Sequence, residues 1–114
     1  MSPEFASGQV VTVFRSRLRE DADEGYEALN DELRDRAAAL GGLVDVKGFT
    51  ADDGERVTVV TFADRAAHDR WASDAQHRDA QRRGRTSIYS AYSIQVAECT
   101  RAAARDGLGG TATT

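Results

Sequence analysis

The run WASDAQHRDAQRRGRTSIYSAYSIQV, residues 71–96, holds the only tryptophan of the chain, one of its two histidines and two of its three tyrosines. It reads as the end of one helix, a break, a second short helix and a final strand. Ser73-Asp74-Ala75-Gln76 has the form of a capping box, which places the break there. Gly84 is expected to end the second helix, and the last strand then runs from about residue 86 to residue 98. A small domain usually spends its large aromatics on core burial, because each buries much apolar surface. Here they share a short stretch with His77, Gln81 and Arg85, polar groups that can orient a ligand.

Upstream of this run the pattern continues in both periods. Residues 9–18, QVVTVFRSRL, form a strand rich in β-branched residues, with Val11 and Val13 on one face and Val10, Thr12 and Phe14 on the other. Apolar residues on both faces imply that both are at least partly covered. Residues 21–40 read as a helix: Tyr26, Leu29, Leu33, Ala37 and Leu40 make one apolar stripe. Asp21, Asp23 and Glu24 crowd its first turn, where the helix dipole favours negative charge, and Gly41-Gly42 stops it. Residues 43–51 and 55–62 form a hairpin around Asp52-Asp53-Gly54. A further helix opens near Asp64, with Ala67 and Trp71 sharing a face.

The order is βαββαβ with the second helical region split, an α+β ferredoxin-like pattern with an antiparallel sheet. Helices then cover one sheet face only. The other carries Val or Phe residues and would be an exposed apolar patch in a monomer. A homodimer with its two sheets packed face to face resolves this, giving a dimeric α/β barrel. The domain is expected to span residues 9–98. Residues 1–8 are expected to be a disordered N-terminal segment, since MSPEF resembles a cloning remnant. The small, polar, glycine-rich residues 99–114 are expected to form a flexible tail.

At 114 residues the chain makes one domain. Its 40% hydrophobic and 30% charged composition is that of an ordinary globular protein. No apolar run approaches the ~20 residues of a membrane span, and no signal peptide is expected. The single Cys99 allows no internal disulfide, which fits a reducing cytoplasm. A net charge of −4 argues against nucleic-acid binding. The cluster Arg78, Arg82, Arg83 and Arg85 is diluted by Asp74 and Asp79 and reads as a solvated helix face.

Two histidines and one cysteine are too few for a transition-metal site. On an unbroken helix His68 and His77 would point to opposite sides, so their relation depends on the break. There is no phosphate loop, nucleophile elbow or flavin or nicotinamide motif, and neither metal nor cofactor is expected. His77, Ala80, Gln81 and Gly84 share one helix face. His77 can be a base for an acidic phenol or enol, or a hydrogen-bonding histidine that steadies the loop. Trp71 can be a stacking wall for a flat ligand or a core plug. Simple alternation puts Tyr89 and Tyr92 on opposite strand faces, which makes Tyr89 the pocket residue and Tyr92 a core or dimer residue. Phe14 and Phe62 are core residues that could also wall a pocket, and Asn30 reads as a solvated helix residue.

The spacing Trp-x5-His-x3-Gln-x3-Arg-x3-Tyr-x2-Tyr, followed by alternating Ile94 and Val96, resembles the antibiotic biosynthesis monooxygenase family. The resemblance covers residues 9–98 and implies a small dimeric ferredoxin-like protein. It further implies cofactor-free oxidation of anthrone-like intermediates to quinones, in which the substrate anion itself gives an electron to oxygen. The partners implied are a small aromatic substrate and molecular oxygen. On this reading Trp71 and His77 are the catalytic pair, and Phe14, Phe62, Gln81, Arg85 and Tyr89 bind the substrate. A non-catalytic small-molecule-binding or stress-related dimer is the alternative. A related haem-degrading branch is disfavoured, because its first-strand asparagine position holds Phe14 and its histidine position holds Gln81.

Overall fold

In the computed structural model, residues 4–105 are described, apart from the side chains of Asp23 and Glu24. The expectations for residues 1–3 and 106–114, and for those two acidic side chains, lie outside the described residues. The elements are β1 (Val10–Leu18), α1 (Asp23–Leu40), β2 (Leu43–Thr50), β3 (Arg56–Phe62), α2 (Arg65–Ser73), α3 (Ala75–Ser87) and β4 (Tyr89–Glu98). The four strands make one antiparallel sheet in the order β2-β3-β1-β4.

Strand register assigns each face. Val10, Thr12, Phe14 and Ser16 stand opposite Phe62, Val60, Thr58 and Arg56 of β3. Thr12, Phe14 and Ser16 also stand opposite Val96, Ile94 and Tyr92 of β4. All of these face the helices. The intervening residues Val11, Val13, Val57, Val59 and Phe49 form the uncovered face, with Phe49 half exposed.

Beneath the helices the core is divided. One cluster joins Ala22, Leu29, Ala80, Ile88 and Tyr89, with Phe14, Leu18, Tyr26 and Leu33 against it. The other joins Val60, Phe62 and Ala67, with Leu43, Val46 and Trp71. The apolar stripe of α1 therefore packs as its spacing predicts. Gly42 ends the α1 connection under two constraints. Its φ is +81°, and a Cβ there would lie 2.4 Å from that of Ala67, so glycine is needed for both conformation and contact.

Three local expectations are corrected. The break between α2 and α3 is present, but its cap is Asp74, whose Oδ2 accepts from His77 N at 2.9 Å. The Ser73 hydroxyl instead donates back to the Asp69 carbonyl. Gly84 does not end α3. It lies buried inside the helix, where a Cβ would come 2.8 Å from both Leu29 Cδ2 and Tyr89 Cε2. The glycine is there for close packing, and helical bonding continues to Ser87. The last strand accordingly starts at Tyr89, three residues later than expected. At the N-terminal side, Gly8 N donates to the Cys99 carbonyl and Cys99 N to that of Gln9, each at 2.8 Å.

Candidate functional site

A cavity of about 270 Å³ lies between the helix-facing side of the sheet and the three helices, separating the two core clusters. Its floor is Thr12, Phe14 and Ser16 of β1, Thr58 and Val60 of β3, and Tyr92, Ile94 and Val96 of β4. Over it α1 contributes Tyr26, Asn30 and Arg34, α2 contributes His68 and Trp71, and α3 contributes His77, Gln81 and Arg85.

The break at Asp74 decides the geometry of one wall. Asp74 adopts an extended backbone (φ −66°, ψ 130°) between two helices. The second helix therefore restarts in a new direction and returns His77 to Trp71. Their ring centroids are 3.8 Å apart with the planes at 37°. The His68 ring centroid lies 6.3 Å from that of Trp71. Both histidines line one cavity, although nine residues of continuous helix would have set them apart. Asp74 is itself held by Arg36 of α1 through two bonds, Nε to Oδ2 at 2.8 Å and Nη2 to Oδ1 at 2.6 Å. Those bonds and the cap hold its carboxyl at about 2.

The facing wall is Phe14, Tyr89 and Tyr92. Phe14 meets Tyr89 edge-on at 5.2 Å and stacks on Tyr92 at 6.1 Å. The opposite-face assignment of the two tyrosines is corrected by a bulge. Arg17 pairs with Ala91 and Leu18 with Tyr89, so Ser90 is an extra residue that shifts the alternation. Tyr89 and Tyr92 thus reach the same side. Tyr92 is a pocket residue, 45% exposed at the cavity's open edge.

Of the other residues singled out in the sequence, Trp71, His77, Phe14, Gln81, Arg85 and Tyr89 are brought together around the cavity. Phe62 is not among its lining residues. It is fully buried and backs Trp71 at 5.1 Å, so it supports the wall from behind. Asn30 faces the cavity rather than solvent alone. Thr12, Arg34 and His68 also line it, although the sequence pattern assigns none of them to the site. Their common property, position on the helix-facing side, emerges only from register and the helix break.

Burial sets the protonation states. His77 is 2% exposed, and desolvation pushes its imidazole down to about 4 against the opposing influence of Asp74 and the Trp71 carbonyl. It is neutral at pH 7. Tyr89 is pushed up to about 12, chiefly by burial, and remains a neutral phenol. Four buried side-chain polar atoms among the described residues have no hydrogen-bond partner: Thr12 Oγ1, Arg34 Nε, Trp71 Nε1 and His77 Nδ1. All four residues line this cavity. Buried polar groups are nearly always satisfied in native proteins, so this set has the character of a binding surface. Among the described residues no three His, Cys, Asp or Glu side chains cluster to hold a metal.

No family model matches the chain. The uncharacterized protein YqjZ of Bacillus subtilis is 27% identical over 89 residues, 78% of each chain. Among solved structures, the cofactor-independent oxygenase SnoaB of Streptomyces nogalater superposes with a TM-score of 0.66 at 18% identity, covering 82% of this chain and 97% of its own. A protein named antibiotic biosynthesis monooxygenase superposes with a TM-score of 0.67 at 13% identity, over 80% of this chain and 98% of its own. The chain has the fold of the antibiotic biosynthesis monooxygenases. In this chain the cavity lies between one sheet face and the helices, and among the described residues no helix covers the other face. No helix among the described residues is long and apolar enough to cross a membrane.

Proposed function

We propose that the chain is a cofactor-independent monooxygenase of the antibiotic biosynthesis monooxygenase family, a cytoplasmic homodimer that oxidises a polycyclic or quinol-like aromatic with molecular oxygen. The observation that carries this reading is the cavity itself: two aromatic walls with unpartnered polar atoms between them. At about 270 Å³ it is just under the ~300–1,000 Å³ of ordinary ligand pockets, and suits a small, flat, fused-ring molecule. The apolar uncovered sheet face, with Val11, Val13, Val57, Val59 and Phe49, supports the dimer.

The chemistry needs no outside reductant. A ring CH₂ loses a proton, its carbanion gives an electron to oxygen, and the resulting pair combines. Loss of water then leaves a carbonyl, so CH₂ and O₂ become C=O and H₂O. The protein's part is to orient the ring, favour the anion and exclude bulk water. Trp71 supplies a stacking face, and its Nε1–H has no acceptor among the described residues. His77, neutral at working pH, offers a ring nitrogen as acceptor for the departing proton. Charging it in isolation costs about 3 kcal/mol more than in water, which a neighbouring substrate anion offsets. Neutral Tyr89, with Gln81 and Arg85, can donate to substrate oxygens.

The test is oxygen uptake by chelator-treated protein over a panel of anthrones and naphthohydroquinones. Uptake above the spontaneous rate, cut at least tenfold in Trp71→Ala and His77→Ala, is expected. No acceleration across the panel by protein that still binds these aromatics would replace this reading with that of a non-catalytic binding dimer.

A further inference from the structure

The cavity carries a charge pattern that the oxidation chemistry does not require. The chain as a whole has a net charge of −4, yet among the described residues no carboxylate lines the cavity, whereas Arg34 and Arg85 do. Arg15, Arg17, Arg36, Arg65, Arg82 and Arg83 form ion pairs elsewhere. Arg34 forms none among the described residues, and its buried Nε lacks any acceptor. Its Nη2 lies over Gly48 of β2, on the same side as the Thr58 hydroxyl. Arg56, which stacks over Tyr26 at 5.4 Å, adds a further cation on the helix-facing side. Elsewhere in the cavity lining are Thr12 Oγ1 and His77 Nδ1, on side chains 3% and 2% exposed and equally unpartnered.

An unpaired, half-buried guanidinium in an apolar cavity is costly unless an anion meets it. The planar N–H fork of arginine suits an anionic oxygen better than any neutral acceptor. We infer that the cavity takes its aromatic ligand as an oxyanion, a carboxylate or an ionised phenol, anchored on Arg34 at the α1–β2 end. The ring then lies between Trp71 and the Phe14–Tyr89–Tyr92 wall. The inference rests on the proposed aromatic site and names the chemical class that the site selects. Arg34 is thereby a binding residue that fixes which end of the ring enters first.

The experiment is calorimetric titration of the full chain with 2-naphthoate, its neutral analogue 2-naphthamide, and 2-naphthol across the ionisation of its hydroxyl. Wild type is expected to bind naphthoate, or ionised naphthol, at least tenfold tighter than the amide. Naphthoate preference assigns the carboxylate, and affinity rising with naphthol ionisation assigns the phenolate. Arg34→Gln should remove the preference while leaving amide affinity within about twofold, and Arg34→Lys should keep part of it. Circular dichroism and a thermal melt confirm that each variant is folded. If wild type binds none of the three probes or prefers the amide, if the preference survives Arg34→Gln, or if it follows Arg85→Gln instead, the inference is overturned. None of these ligands needs to turn over. Anion preference without oxygen uptake therefore removes only the monooxygenase reading, and uptake without anion preference removes only this one.

Discussion

His77 is held neutral by the fold, and that gives stability a sign with pH. Its imidazole sits at about 4 when folded, against 6.5 in the open chain. The folded state thus disfavours the proton, and the stabilisation from this group is complete above pH 6.5 and lost as pH falls from 6.5 through 4. The loss is about 3 kcal/mol by linkage. Urea titrations at pH 7 and pH 4 should show it in wild type and not in His77→Asn. An equal loss in both would mean that other groups titrate there. Asp74 acts lower: held at about 2, it contributes above pH 3.8 and is lost as pH falls through 2. Gly84 makes a second residue-scale prediction. With Leu29 and Tyr89 pressed against it, Gly84→Ala should cost about 1–3 kcal/mol by overpacking, measured by denaturant midpoint. This cost should outweigh the gain in helix propensity.

The break between α2 and α3 is the element on which the site turns. Asp74 caps one helix, binds Arg36 of another, and so fixes where His77 meets Trp71. Asp74→Ala should lower stability by about 1 kcal/mol for the lost cap and more if the buried side of the ion pair matters. It should also change the near-ultraviolet dichroism of Trp71, the only tryptophan. An unchanged Trp71 signal would show that the capping bond does not position the wall. The elements themselves were largely legible in the amino-acid pattern. The α1 stripe, the Asp52-Asp53-Gly54 turn and the existence of the break follow from periodicity and turn chemistry. The site was less so. The tyrosine pair was misassigned because one bulge residue, Ser90, reverses alternation without leaving a compositional mark. Gly84 was misread because a glycine required for contact looks the same in sequence as one required for termination. Asn30 was read as solvated, and Thr12 and Arg34 were given no site role, because facing a cavity is a property of tertiary packing.

For the whole molecule, the open face of the sheet leads to a prediction about assembly. Val13 and Val59 stand opposite each other at its centre, beside Val11, Val57 and Phe49. If this face is the dimer interface, Val59→Asp should shift sedimentation from dimer to monomer, since a charge there would be buried without a partner. A wild-type monomer at micromolar concentration would sink the dimer.

The cavity also lies between the two clusters of the hydrophobic interior and is lined by side chains packed in each. An occupant that touches both would behave as a missing piece of the core. By mass action, a ligand present at a hundred times its Kd adds about 2.7 kcal/mol to folding, a sizeable fraction of the ~5–15 kcal/mol typical of a domain. Protease susceptibility would fall in step with the supply of ligand. The survival of the chain in a cell would thus be tied to the abundance of the molecule it handles, with no separate sensor required.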